Sequence, residues 1–340
     1  MLLTSYAFIV NPRAGRGMAL PRARALCAAL GGEDAVELFQ TTEPGSGSDL
    51  AASAAGSVDR IIAVGGDGTL NEVLNGLVQA GRLQSAKPAI GMLPAGTGNA
   101  AAGALGLTAS PLAMAAALKR VDPVHLDAGR VVESGRAFFL WLGAGVDAVV
   151  MHALNAARTN RMGFGGILRQ LPGIIRVAAG YPEPPIKVEM DNAGYGPYAD
   201  VVVANFGNLP LGRRLTGSAD PRDGFLNVIG VPKCTQLQRV LLGMRLIGST
   251  LAEAGAVREY FAASISLTSA GAVPVQLDGE PAGHLPATIE TIPRAVCFLG
   301  TRAGGAHSPF LFRLNNLHAG RSIVSPESWV PSATGSSLIP

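Results

Sequence analysis

Charge is scarce in this chain. Asp, Glu, Lys and Arg make up 15% of its 340 residues and hydrophobic residues 48%, a balance that excludes disorder over most of the length. Neither sign dominates: the net charge is +3 and the isoelectric point is near 8.9. That is too mild to imply nucleic acid, and no Lys/Arg block interleaved with aromatics supports such a partner. A weak attraction to an anionic membrane surface stays open. Cysteine is rare as well. Cys27, Cys234 and Cys297 are far apart and odd in number, which excludes a disulfide framework or zinc spacing and suits a reducing cytoplasm. Long apolar runs are missing: the nearest, Phe138–Leu154, is broken by Asp147 and glycines and falls short of a spanning helix. Residues 1–12 lack a basic region and a cleavage site, so they read as a first strand, not a signal peptide. His125, His152, His284 and His307 have no ligand spacing.

What the chain has in quantity is glycine, and it clusters where chemistry is expected. Ile61–Gly76 reads I-I-A-V-G-G-D-G-T-L-N-E-V-L-N-G: a buried parallel strand over Ile61–Val64, a loop of Gly65, Gly66, Asp67, Gly68 and Thr69, then a helix over Asn71–Gln79. Three glycines around one carboxylate let backbone approach a bulky anion, with loop and helix-start N–H groups facing its oxygens. Bare, the carboxylate would repel phosphate, so it can act only through a cation, a proton or an orienting hydrogen bond, and nucleotide phosphate with Mg²⁺ fits that combination. A plain glycine turn is the competing reading.

The same unit recurs. Tyr6–Val10 is a strand followed by loop 11–17 and a helix over Met18–Leu30; Val36–Gln40 is a strand ending at Thr41, Thr42 and Gly45, with a helix over Asp49–Ala55. Ala89–Leu93 is a strand leading into Pro94, Gly96, Thr97, Gly98 and Asn99, then a helix over Ala100–Leu105. Four strand–loop–helix units predict a parallel sheet with its loops along one edge. Three of those loops, 11–17, 65–69 and 94–99, carry the glycines to admit phosphates, with Arg13 and Arg16 in the first. From about Val124 strands dominate: Ala137–Leu142, Ile186–Met190, Asp200–Ala204, Leu226–Val231, Ile265–Thr268, Val273–Leu277 and Thr288–Thr291. Helices are expected over Val146–Arg158, Gly163–Ala179 and Leu237–Leu251. The prediction is α/β plus β-rich: an N-terminal three-layer α/β nucleotide domain over 1–124 and a C-terminal β-sandwich-like domain over 125–300. Residues 301–340, rich in Ser, Pro and Gly, form a C-terminal segment with a mobile end.

Two further places read as chemistry. Asp278 and Glu280 flank Gly279 after the apolar strand Val273–Leu277. On an extended strand, positions i and i+2 share a side, so both carboxylates can face one cleft, one taking a hydroxyl proton and the other orienting it or holding a metal through water. A solvated turn is the alternative. Asp220–Phe225 is a tight turn before a strand, with oxygens of the kind Mg²⁺ accepts or no ion at all. Gly163–Arg176, apolar with two arginines, reads equally as a membrane-facing, lipid-gripping helix and as one packed on the sandwich.

With these residues in place, the sequence resembles the diacylglycerol kinase catalytic family, which includes bacterial soluble lipid kinases, sphingosine kinases and ceramide kinases. The likeness runs from residue 4 to about 300 through Asn11-Pro12 with Gly15, Gly65–Asn75, Pro94 with Gly96-Thr97 and Asn99, Asp127, Asn205, Asp223-Gly224 and Asp278-Gly279-Glu280. The resemblance implies a nucleotide domain like that of NAD kinases and phosphofructokinases, a lipid domain, and ATP in the cleft between them. It also implies that the last segment often returns to the first domain. Its nucleotide residues map to Asn11, Pro12, Gly15, Thr41 or Thr42, Gly65, Gly66, Asp67, Gly68, Thr69, Leu70, Asn71, Glu72, Gly96, Thr97 and Asn99. Its base maps to Asp278 with Glu280. Its metal maps to the side chain of Asp223 and the carbonyls of Asp220 and Phe225, linked through water to Asp67 and Asp127.

The expected activity is ATP-dependent transfer to a lipid hydroxyl, diacylglycerol first and ceramide or a sphingoid base second. The expected protein is a cytoplasmic enzyme on the inner face of the membrane, with a homodimer possible. An NAD kinase-like soluble kinase and a non-catalytic nucleotide-binding regulator are the competing readings. Departures from the family pattern are Ala100, Asn227, Ser46 and the segment 163–168, and they put the identity of the lipid in doubt.

Overall fold

The computed structural model describes residues 4–32, 35–96, 98–119, 123–157, 164–208, 215–235 and 257–300. The expected helix over Leu237–Leu251 and the C-terminal segment 301–340 lie outside the described residues. The first half alternates strand and helix as its pattern predicts: β1 (Tyr6–Val10), α1 (Ala19–Leu30), β2 (Val36–Gln40), α2 (Ser46–Ala54), β3 (Arg60–Gly65), α3 (Asp67–Gln79), β4 (Ala89–Pro94), α4 (Ala100–Leu105) and α5 (Pro111–Leu118). These strands are parallel in the order β2-β1-β3-β4. Both faces of β1 and β3 are buried, which is why they read as unbroken apolar runs. Tyr6, Phe8, Val10, Ile62 and Val64 pack with Ala19, Ala23 and Leu26 of α1 and with Met114 and Leu118 of α5. Ala7 and Ile9 point the other way, toward the face where α2 and α3 lie. The result is a three-layer α/β domain.

The second half is mostly strand: β5 (Val124–Val131), β6 (Ala137–Phe138), β7 (Trp141–Gly145), α6 (Val146–Ala157), α7 (Phe164–Gly180), β8 (Ile186–Met190), β9 (Ala193–Tyr198), β10 (Asp200–Ala204), β11 (Leu226–Val231), β12 (Arg258–Ala262), β13 (Ser264–Ser269), β14 (Pro274–Leu277), β15 (Glu280–His284) and β16 (Ala287–Phe298). One sheet runs β12-β11-β10-β7-β14-β15. It faces β8, β13 and β16 across a core of Leu142, Val201, Val203, Val228, Val275 and Leu277 against Ile186, Val188, Ile265, Leu267 and Ile289, giving the expected sandwich.

β5 and β16 join the halves. They pair antiparallel over most of their length, and the end of β16 pairs parallel with β4 at Phe298 and Ile90. One ten-stranded sheet therefore runs from the α/β domain into the sandwich. The return to the first domain is made at Phe298 and Leu299, whose N–H donates to Ile90 O (2.7 Å).

Two expectations about local structure are corrected. The single strand expected over Ala137–Leu142 is interrupted at Phe139 and Leu140, whose N–H groups turn away from any strand partner toward Asp278. α3 begins at Asp67, four residues before the expected start, so Asp67, Gly68 and Thr69 form its first turn.

Leu70, Val73, Leu74 and Leu77 are the buried stripe of α3. Gly76 lies where α3 touches α2: a Cβ there would stand 2.5 Å from Ser48 O and 2.6 Å from Ala51 Cβ. Gly76→Val is expected to destabilise the chain by roughly 1–3 kcal/mol, read by urea unfolding. An unchanged midpoint would mean that this contact does not exist.

Candidate active site

Three glycine loops meet at the C-terminal edge of the parallel strands. Ala95 N–H and Gly96 N–H both donate to Gly65 O (2.7 and 3.0 Å), and Asn11 N–H donates to Val64 O (3.0 Å). A Cβ at Gly96 would stand 2.5 Å from Gly66 Cα, and one at Gly15 would stand 2.6 Å from Ala95 O. Only glycine permits loops this close, and Gly15, at φ +59°, is also left-handed. The first turn of α3 opens beside them, and the start of a helix favours an anion.

The loops form one end of a cleft of about 940 Å³. Asn11, Gly15, Thr41, Thr42, Gly66, Asp67, Gly68, Thr69, Asn71, Glu72 and Gly96 line it, with Arg13 and Arg16. Leu70 instead packs in the core, 2% exposed. Pro12, Gly65 and Asn99 belong to the loops without lining the cleft, and Thr97 lies outside the described residues. Thr41 and Thr42 both face the cleft, so position alone does not separate them. Some residues expected at the nucleotide hold the loops together. Both Asp67 oxygens accept from the start of α4, from Ala100 N–H and Ala101 N–H (2.9 Å each). Both Glu72 oxygens accept from the start of α2, from Gly45 N–H (2.9 Å) and Gly47 N–H (3.1 Å).

Beside α3, Asp278 is 8% exposed and accepts four hydrogen bonds. Asn71 Nδ2 (2.7 Å) and Phe139 N–H (2.7 Å) donate to Oδ2; Leu140 N–H (2.8 Å) and Trp141 N–H (3.0 Å) donate to Oδ1. Burial pushes its carboxyl up to about 6, against the pull of those donors. The expected extended geometry at 278–280 is corrected. Asp278 and Gly279 have φ of +50° and +92°, and Leu277 pairs with Glu280, so Asp278-Gly279 is a two-residue hairpin turn of the kind Asp-Gly favours. The turn buries Asp278, while Glu280 is exposed in the cleft with Oε1 3.7 Å from where a Gly68 Cβ would stand.

Asp127 is 1% exposed and brackets two backbone irregularities. Its oxygens accept from Gly224 N–H (2.9 Å) in the 220–224 turn and from Arg294 N–H (2.7 Å) in the bulge of β16. Burial raises its carboxyl, and the nearby charges of Asp223 and Asp220 raise it further. Asp127, Asp220, Asp223 and the turn carrying Phe225 are thus together, whereas Asp67 is tied to α4. Among the described residues no three His, Cys, Asp or Glu side chains converge as a metal centre.

Residues 5–131 match the diacylglycerol kinase catalytic domain, and residues 141–300 match the YegS C-terminal NAD kinase beta sandwich-like domain. A Chromohalobacter salexigens protein named "Probable lipid kinase YegS-like" is 31% identical over 262 residues, covering 76% of this chain and 81% of that protein. The chain belongs to the diacylglycerol kinase catalytic family. A Mycobacterium tuberculosis diacylglycerol kinase is 28% identical over 303 residues, covering 87% and 95%. A crystal structure of a diacylglycerol kinase from Bacillus anthracis shares the fold, with TM-score 0.68 and 23% identity over 89% of this chain and 99% of that one.

Within this cleft the structure adds residues that the sequence did not single out. The hairpin after β5 lines it with Ser134, Gly135 and Arg136, and Trp141, Met151 and Leu154 give it an apolar end. Asn75 fixes that hairpin: Ala137 N–H donates to its Oδ1 (2.9 Å), and its Nδ2 donates to Ala137 O (3.0 Å). No local pattern marks these residues, because they reach the cleft through long-range contacts. Two departures from the family pattern have physical accounts. Ala100 contributes only its backbone N–H, to Asp67. Asn227 donates Nδ2 to Glu259 Oε1 (2.7 Å), where an aspartate would meet a like charge.

The raised Asp278 carboxyl has a stability consequence. The folded chain keeps a proton that the unfolded chain releases between the ordinary value of 3.8 and about 6. The stabilisation is therefore full below 3.8 and is lost as pH rises through about 6. Asparagine cannot titrate, so the stability of wild type relative to Asp278→Asn should fall over that interval in urea unfolding. A difference that ignores pH would assign Asp278 an ordinary carboxyl.

Proposed function

We propose that this chain transfers the γ-phosphate of ATP to the hydroxyl of a lipid, diacylglycerol being the expected acceptor and ceramide or a sphingoid base the alternative. The observation that carries this reading is the make-up of one cleft. Anion-ready loops at 11–17, 65–69 and 94–96 line it together with the carboxylates of Asp278 and Glu280 and with apolar Trp141, Met151 and Leu154. Phosphoryl transfer needs charge neutralisation and alignment, which the loops and the first turn of α3 supply. A lipid acceptor needs a hydroxyl-facing carboxylate next to an apolar wall.

Mg²⁺ suits the turn after Asp220 as a hard ion, because the Asp223 side chain and backbone carbonyls offer oxygen donors there. Bound there, an ion would neutralise repulsion between Asp127, Asp220 and Asp223; the ion that travels with ATP is separate. Such an acceptor also brings the chain to a membrane surface. Ile175 and Val177 of α7, 60% and 52% exposed, are the apolar side chains suited to meet it, and no helix among the described residues is long and apolar enough to cross a membrane.

γ-Labelled ATP with mixed micelles should move label into diacylglycerol. Label in NAD alone would move the chain to the soluble kinases, and ATP binding without transfer to any acceptor would favour a regulator. Without nucleotide, Mg²⁺ should raise the melting temperature of wild type and leave Asp223→Asn unmoved. An equal rise in both would place the ion elsewhere.

A further inference from the structure

Gln276 is the one polar residue in the apolar run Val273–Leu277. Val275 and Leu277 point into the sandwich core, so Gln276 points to the opposite face of the sheet, and α6 packs against that strand. We propose, resting on the lipid-kinase reading above, that Gln276 and Asp147 are positioning residues that select the acceptor. They lock the turn at 278–279 to the start of α6 and so fix the spacing between that turn and the apolar wall of the cleft.

Both ends of the Gln276 amide are used. Its Nε2 donates to Asp147 Oδ2 (2.7 Å), and its Oε1 accepts from Gly279 N–H (2.6 Å). The side chain is fully buried, and a polar group keeps such a place only with partners of this kind. Gly143, which faces Gln276 on β7, leaves the room: a Cβ there would stand 1.8 Å from Asp147 Oδ2 and 2.8 Å from Gln276 Nε2. Burial pushes the Asp147 carboxyl up, and the bond from Gln276 is the largest pull against it.

The same helix carries the wall. Positions 147, 151, 154 and 155 fall on one stripe of α6. Asp147 meets Gln276, Met151 and Leu154 line the cleft, and Asn155 Nδ2 donates to Gly279 O. His152, beside that stripe, donates from Nε2 to Val275 O (3.2 Å). α6 therefore grips β14 and its turn at three levels along about 12 Å of helix. It is anchored in turn to β10, where Asp200 Oδ1 accepts from Asp147 N–H (3.0 Å).

The turn is thus shared between two sides. Asp278 ties it to Asn71 of α3, and Gln276 and Asn155 tie it to α6. An acceptor whose hydroxyl reaches the loops while its apolar body rests on Met151 and Leu154 has to match one fixed distance. Setting that distance before binding orients the hydroxyl for attack and disfavours lipids whose hydroxyl stands elsewhere relative to the apolar part. ATP rests on the loops of the α/β domain, and its hold does not pass through α6.

The test uses the full chain, γ-labelled ATP, and mixed micelles of diacylglycerol or of ceramide. Gln276→Met keeps the volume without the bonds. It should raise the acceptor KM by roughly 3- to 10-fold, the size of a lost hydrogen bond, and narrow the preference between the two lipids by a similar factor. The KM for ATP should stay within about a factor of two of wild type. Asp147→Leu should act in the same way, and the double variant should be about as impaired as either single one, because both remove the same interaction. Asp147→Asn, which keeps an oxygen for Gln276 Nε2, should hold the acceptor KM near that of wild type. Should Gln276→Met fail to fold, Asn155→Ala, which removes one bond to the turn, should raise the acceptor KM alone. Equal losses for both lipids, a parallel rise in the KM for ATP, or additive effects in the double variant would overturn the proposal. A wild type that labels neither lipid overturns the lipid-kinase reading, and this proposal with it; a wild type that labels lipid leaves that reading standing whatever the variants do.

Discussion

The cleft depends on one buried carboxylate. Asp278 gathers a side-chain amide from α3 of the α/β domain and three successive N–H groups, those of Phe139 and Leu140 between β6 and β7 and that of Trp141 at the start of β7. Without it, three backbone donors would face a buried space unpaired, each costing about 1–3 kcal/mol. The same need breaks the strand at Phe139 and Leu140, because donors turned toward a carboxylate cannot also serve a sheet ladder. Asn205 completes the wiring: its Nδ2 bridges Asp127 O and Phe139 O (2.8 Å each). The acidic turn and the cleft are thereby connected through two carbonyls.

The sheet explains why so small a latch is enough. β5 and β16 run continuously from the parallel strands into the sandwich, so the two halves are joined by a ladder as well as by side chains. Asp127 absorbs the one irregularity in that ladder, the bulge near Arg294, while pinning the 220–224 turn. The loops on one side and the β14–β15 turn on the other then face each other across a fixed gap.

Much of this was legible in the sequence, and the boundary of legibility is physical. The parallel strands announced themselves as apolar runs because both their faces are buried, and the loops announced themselves as glycines because their backbones touch. Several sandwich strands were placed as strand-like apolar segments, but β5, β9, β12 and β15 were not; β9, β12 and β15 are exposed edge strands with little apolar signal. What the sequence could not show was which task each acid performs. Asp67 and Glu72 sit in a motif that points to nucleotide, yet their oxygens hold helix starts. Asp278 and Glu280 look like a matched pair two residues apart, yet a turn with positive φ separates them. The contacts of Asn75 with Ala137 and of Asn71 with Asp278 span 62 and 207 positions, beyond any local pattern.

Amide hydrogen exchange at Phe139, Leu140 and Trp141 tests the central claim most directly. In wild type these three amides should exchange slowly. In Asp278→Ala they should exchange faster by roughly 10- to 100-fold, as expected for the loss of a buried hydrogen bond, while the amides of β1 and β3 keep their protection. Unchanged exchange at all three would contradict the account, because the cleft would then not be organised around Asp278.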